Sequence, residues 1–71
     1  MNIQLVRIAQ TILNPKINNT TEAHRIAEEI VNFALANWDE VSFSYNNLND
    51  DFDIIYEYTR DFVRDGGLEV I

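Results

Sequence analysis

The stretch NNTTEAHRIAEEIVNFALANW, residues 18 to 38, decides the fold. Ala23, Ile26, Ala27, Ile30, Phe33 and Ala34 recur three and four residues apart, Trp38 continues the series, and Arg25, Glu28, Glu29 and Asn32 fall opposite. Apolar residues at that period form one stripe of a helix, and the stripe must be covered by another element. Asn19 stands ahead of it with Glu22 three positions on. This is the spacing at which a side-chain oxygen accepts a free N–H of the first turn, in the manner of a capping box. The centre of the chain is therefore read as a helix starting at Asn19 or Thr20.

The same period runs outward on both sides. Leu5, Ile8, Ala9 and Ile12, widened by Val6 and Leu13, predict a helix over residues 3–13. Pro15 biases Asn14 away from helical geometry, and the short polar link at 18–21 turns the chain back on itself. A third helix is expected from Asn49 or Asp50 to Gly66, with Phe52, Ile55, Tyr58 or Thr59, and Phe62 inward. Gly66 suits a helix C-terminus because it adopts positive φ without strain. Val41-Ser42-Phe43-Ser44-Tyr45 alternates with period two and fits either a short strand or an irregular segment. As a strand it has one candidate partner, residues 68–71, in a two-stranded ribbon that is marginal without helix packing. The expected architecture is mainly α: one small three-helix domain over residues 1–71, with the ribbon left open.

A chain of 71 residues buries only about 60% of the surface its unfolded form exposes. Yet 46% of the residues are hydrophobic, with one Trp, three Tyr and four Phe. That surplus predicts burial against a second copy, hence a homodimer. The absence of cysteine removes disulfides and cysteine metal sites. No apolar run approaches the ~20 residues that span a bilayer, and the opening Met-Asn-Ile-Gln-Leu-Val-Arg lacks the pattern of a secretory leader. The expected location is the cytoplasm.

The net charge of -7 is unevenly placed. Residues 1–21 carry Arg7 and Lys16 and no acid, whereas residues 39–71 hold nine acids against Arg60 and Arg64. Within that half Asp53, Glu57, Asp61 and Asp65 recur every four residues. Like charges at this spacing destabilise an isolated helix by about 0.2–0.5 kcal/mol per pair. Pairs of opposite sign, Glu57 with Arg60 and Asp61 with Arg64, offset part of this. Asp50, Asp51 and Asp53 also complement the positive end of the helix dipole. Such a surface repels nucleic acid and anionic membranes and favours a basic protein partner.

Little in the chain supports catalysis. His24 is the single histidine, no motif activates Ser42 or Ser44, and the Gly66-Gly67 pair follows a helix where a phosphate loop would precede one. Asn49, Asp51 and Asp53 match the first alternating ligands of a calcium loop, but Ile54 and Arg60 occupy the positions where Gly and Glu are needed. No metal or cofactor is expected. Trp38, Phe43, Tyr45, Tyr56 and Tyr58 are candidate interface aromatics, and Phe33, Phe52 and Phe62 are expected in the core. Tyr56 and Tyr58 lie about 200° apart on a helix, so one of them must face solvent or a partner.

The short length, the lack of cysteine and the carboxylate-lined helix of residues 50–65 resemble, as a class, small acidic phage-encoded DNA-mimic inhibitors. The resemblance implies a basic host target such as a histone-like nucleoid protein, RNA polymerase or a nuclease, whose DNA-binding surface is blocked. Helix geometry sets the ridge carboxylates about 6 Å apart, against one charge per about 1.7 Å of duplex, so a dimer comes closer to DNA than one ridge does. The expected contact residues are Asp50, Asp51, Asp53, Glu57, Asp61, Asp65 and Tyr56. The alternative is an acidic adaptor, antitoxin-like or structural module that binds through its apolar faces, with the acids keeping it in solution. Added calcium is expected to leave the thermal unfolding midpoint unchanged, and an upward shift would restore the calcium reading.

Overall fold

A computed structural model describes residues 2–69, and in it the Asn2 side chain starts the first helix. Its Oδ1 accepts the Gln4 and Leu5 N–H groups at 3.1 and 3.2 Å, satisfying two donors that the first turn leaves free. Helix α1 (Ile3–Leu13) follows. Asn14 keeps helical dihedrals, φ -54° and ψ -43°, against the expectation from Pro15. Its N–H still reaches Gln10 O at 2.8 Å, and the Lys16 and Ile17 N–H groups close back on Leu13 O, so the chain leaves the helix one residue later.

Helix α2 (Thr20–Ala36) starts as its sequence says, with Asn19 Oδ1 accepting the Glu22 N–H at 3.0 Å. The Glu22 carboxylate does not complete the box; it pairs with Arg25, which also reaches Glu29 at 2.8 Å. The helix breaks at Asn37, where ψ turns to 33°. The Asn37 N–H reaches the Phe33 and Ala34 carbonyls, and its Nδ2 donates to Phe33 O at 2.9 Å. This side chain competes with the backbone for a carbonyl of the last turn, so the break needs neither glycine nor proline.

Residues 41–44 are not a strand. They belong to a third helix, α3 (Trp38–Ser44), which makes the total four, and among the described residues there is no strand. Trp38, Val41 and Tyr45 stand three and four residues apart and turn toward the core, while Phe43 is 76% exposed. The apparent alternation thus mixed two inward residues, Val41 and Tyr45, with one outward aromatic, Phe43. Asp39 and Glu40 sit in the first turn, at the positive end of the short helix. Of the other half of the ribbon, Leu68 and Glu69 lie in a 3-10 turn, Gly67–Glu69, and Val70 and Ile71 lie outside the described residues.

Helix α4 (Asp51–Arg64) is capped by Asp50 and ends before Gly66, whose φ is +83°. Its inward residues are Ile54, Ile55 and Thr59. The expected face is therefore rotated toward Ile54, which leaves Phe52 39% exposed. Phe33, expected in the core, is 62% exposed because Val31, absent from the expected stripe, takes the buried arc of α2. Phe62 does pack against the core, and its ring lies where a Cβ at Gly67 would stand, so any larger residue there would have to displace the ring.

The core joins Leu5, Val6, Ala9 and Leu13 of α1 to Ala23, Ala27, Ile30, Val31 and Ala34 of α2 and to Ile54 and Ile55 of α4. Burying a large aliphatic side chain such as Leu13 or Ile55 contributes about 1.5–3 kcal/mol. Ala9, Ala23, Ala27 and Ala34 are fully buried and let the helix backbones approach closely. No described helix is long and apolar enough to cross a membrane.

One core group stands out: the Thr59 hydroxyl is fully buried with no hydrogen-bond partner. An unpaired buried hydroxyl is costly, and valine has nearly the same shape without it. Thr59→Val is expected to stabilise the fold by about 1 kcal/mol in urea denaturation, and a loss of stability would mean that the hydroxyl has a partner.

Candidate functional site

The acidic ridge of α4 is not a straight line. A step of four residues advances about 400° around a helix, so each carboxylate is displaced about 40° from the one before. The series begins on the outer face at exposed Asp53 and winds toward α3 at half-buried Glu57 and Asp61. Asp65 lies past the last turn, as the C-cap.

Each carboxylate accordingly has its own surroundings. Glu57 Oε2 meets Arg60 Nη2 at 2.8 Å, and Asp61 Oδ1 meets Arg64 Nη1 at 3.2 Å. The second Asp61 oxygen accepts the Tyr45 hydroxyl at 2.6 Å, a charge-assisted bond between α4 and the end of α3. Asp65 faces Arg64 Nε at 3.4 Å. At the other end of α4, Asp50 Oδ1 accepts the Phe52 N–H at 2.8 Å and is the cap, while Asp51 and Asp53 are exposed in the first turn. Asp51 and Asp53 point about 200° apart on that turn, which separates two of the three supposed calcium ligands. Among the described residues no three His, Cys, Asp or Glu side chains come together to hold a metal ion.

Of the seven expected contact residues, then, Asp50 and Asp61 do structural work as cap and as acceptor for Tyr45. Glu57 is held by an arginine, and Asp51, Asp53 and Asp65 are exposed. Tyr56 is 41% exposed and lies about 60° round α4 from Asp53 and about 100° from Glu57, so it flanks the outer start of the ridge. It is the tyrosine that faces outward, and Tyr58 is the one that turns in. His24 joins α1 to α2, with Nδ1 3.0 Å from Gln10 Oε1 and Nε2 3.4 Å from Glu28.

Sequence reasoning missed a groove where α2, α3 and α4 meet. Phe33, Asn37, Glu40, Val41, Ser44, Tyr45 and Tyr58 enclose an open hollow of about 310 Å³. The Tyr45 and Tyr58 rings form its far wall, edge to face with centroids 6.5 Å apart. Beyond Glu40 and Ser44 a shallower hollow of about 450 Å³ continues along α3 past Phe43 and Asp39. Both hollows include Glu40, and neither is lined by Lys or Arg. The helical spacing of Trp38, Val41 and Tyr45 is the signal that would have placed α3, and with it this groove.

The chain matches no family model, no curated protein and no solved structure.

Burial, and then the carboxylate of Asp61, push the Tyr45 phenol from 10.0 up to about 12. Both favour the neutral form. The unfolded phenol loses its proton on passing pH 10 while the folded one keeps it, so this contribution is complete below pH 10 and is lost as pH rises to about 12. In a variant carrying Tyr56→Phe and Tyr58→Phe, ultraviolet titration is expected to find Tyr45 ionising near pH 12. Adding Asp61→Asn is expected to lower that value without restoring the ordinary one, because burial, the largest cause, remains.

Proposed function

We propose that this is a non-catalytic acidic protein that binds a basic nucleic-acid-binding protein and occupies the surface with which that partner holds DNA. One observation carries the reading. The arginines of the C-terminal half are already paired with Glu57, Asp61 and Asp65, which leaves Asp39, Glu40, Asp50, Asp51, Asp53 and Glu69 without a basic partner among the described residues. Unneutralised carboxylates concentrated in the C-terminal half of so small a chain attract a cationic surface and steer its approach.

Histone-like nucleoid proteins, RNA polymerase and nucleases have surfaces of that kind, and such a target places the action in the cytoplasm. Since Glu57 and Asp61 are partly neutralised, the charge offered to the partner is that of the α4 N-terminus and of α3, not of the ridge alone. A homodimer would double this charge and bring its density nearer to that of a duplex.

A second reading, an interaction module whose apolar surface does the binding, is favoured by the exposure of Phe33 and Phe43. Capture from a bacterial lysate separates the two. Under mimicry the captured partner is basic, is released by duplex DNA or by high salt, and is lost when Asp51 and Asp53 are both changed to Lys. Those two side chains are exposed and make no hydrogen bond or ion pair among the described residues, so the double variant is expected to keep its circular dichroism spectrum. Capture that survives molar salt and ignores DNA would overturn mimicry in favour of the second reading.

A further inference from the structure

We infer that the groove between α2, α3 and α4 seats an apolar side chain from a basic amphipathic segment of the partner, with Lys or Arg residues beside that anchor meeting Glu40 and Asp39. The inference deepens the reading of a basic partner and rests on it.

The floor of the groove is apolar: Val41 is buried, Tyr45 and Tyr58 form one wall, and Phe33 forms the other with 62% of its surface exposed. One wall is tethered through its hydroxyl, and the helix end that carries the other is fixed through its backbone. The Phe33 carbonyl accepts both the backbone N–H and the side-chain Nδ2 of Asn37, which fixes the end of α2, and the Tyr45 hydroxyl is held by Asp61 at 2.6 Å. A ring tethered as Tyr45 is loses little conformational freedom on binding. The hollow suits a single large apolar side chain, the kind of anchor that carries most of an interface's energy.

Charge chooses the occupant. Asp39 and Glu40 flank the hollows, no Lys or Arg lines them, and the whole chain carries -7. A second copy would bring the same carboxylates to the same place, where like charges face one another as they desolvate. A segment with an apolar stripe bordered by Lys or Arg satisfies both the floor and the rim, as an amphipathic helix does when laid in a groove. Phe43, 76% exposed on the outer side of α3, gives the same segment a second apolar contact past Glu40.

The test titrates the isotope-labelled full chain with a synthetic amphipathic Leu/Lys peptide carrying one Trp on its apolar face, read by amide chemical shifts. Shifts are expected to gather at Phe33, Asn37, Val41, Ser44 and Tyr58. The same peptide with every Lys replaced by Glu is expected to cause none. Phe33→Ser, at an exposed position that the core does not need, is expected to weaken binding about tenfold or more, and Glu40→Lys to weaken it in the same direction.

Three results would overturn the inference: shifts confined to residues 51–53 and 65, equal binding of a Ser/Lys peptide without apolar residues, or a homodimer of the free chain that Phe33→Ser dissolves. The readout involves no DNA. If captured partners ignore DNA while the peptide still seats in the groove, mimicry falls and the groove stands. If DNA competes but the peptide binds only at the α4 N-terminus, the reverse holds.

Discussion

Everything in this fold depends on the apolar stripe of α1. Leu5, Val6, Ala9 and Leu13 lie between α2 and α4, and α1 packs against each of them far more extensively than they pack against one another. Ala9, Ala23 and Ala27 make this possible, because small side chains at the contact let the backbones close to a distance at which the neighbouring aliphatics interlock. A larger residue at Ala9 would force the helices apart, a change that typically costs about 1–3 kcal/mol in a filled core.

The groove follows from that arrangement. Since α1 holds the inner sides of both long helices, α2 and α4 touch each other little, and α3, with seven residues, leaves an open hollow where it meets them. One buried side chain, Val41, and one carboxylate-held phenol, Tyr45, fasten α3 in place. Trp38 also packs against the core, while Glu40, Phe43 and Ser44 face outward. The same geometry decides which acids are available. Winding of the four-residue series carries Asp61 inward to serve Tyr45 and leaves Asp53 in solvent, so a run that looks uniform in sequence divides between structural and surface roles.

The three long helices could be read from the sequence because each obeys a helical period between recognisable signals: Asn19 and Asp50 at the starts, and Gly66 past the end. Helix α3 could not be read so easily. Ser and Phe between Val41 and Tyr45 imitate the alternation of a strand, and the residue that breaks α2 from α3, Asn37, does so through a side-chain bond rather than through glycine or proline. Phe33 and Phe52 were misplaced because size and hydrophobicity do not say which edge of a stripe is covered; that depends on where the neighbouring helices lie. The candidate site was half readable. Its charge lies in composition and spacing, whereas the groove arises from three elements whose meeting no local pattern encodes.

The most direct test of the central claim is residue-resolved hydrogen exchange on the free chain. If α1 is the element on which the others depend, the amides of Ala9 and Leu13 exchange as slowly as those of Ile30 and Ile55, all through global unfolding, while α3 exchanges faster through a local opening. Exchange of α1 well ahead of α2 and α4, with those two still protected, would contradict the claim, because the pair would then hold together without the helix between them.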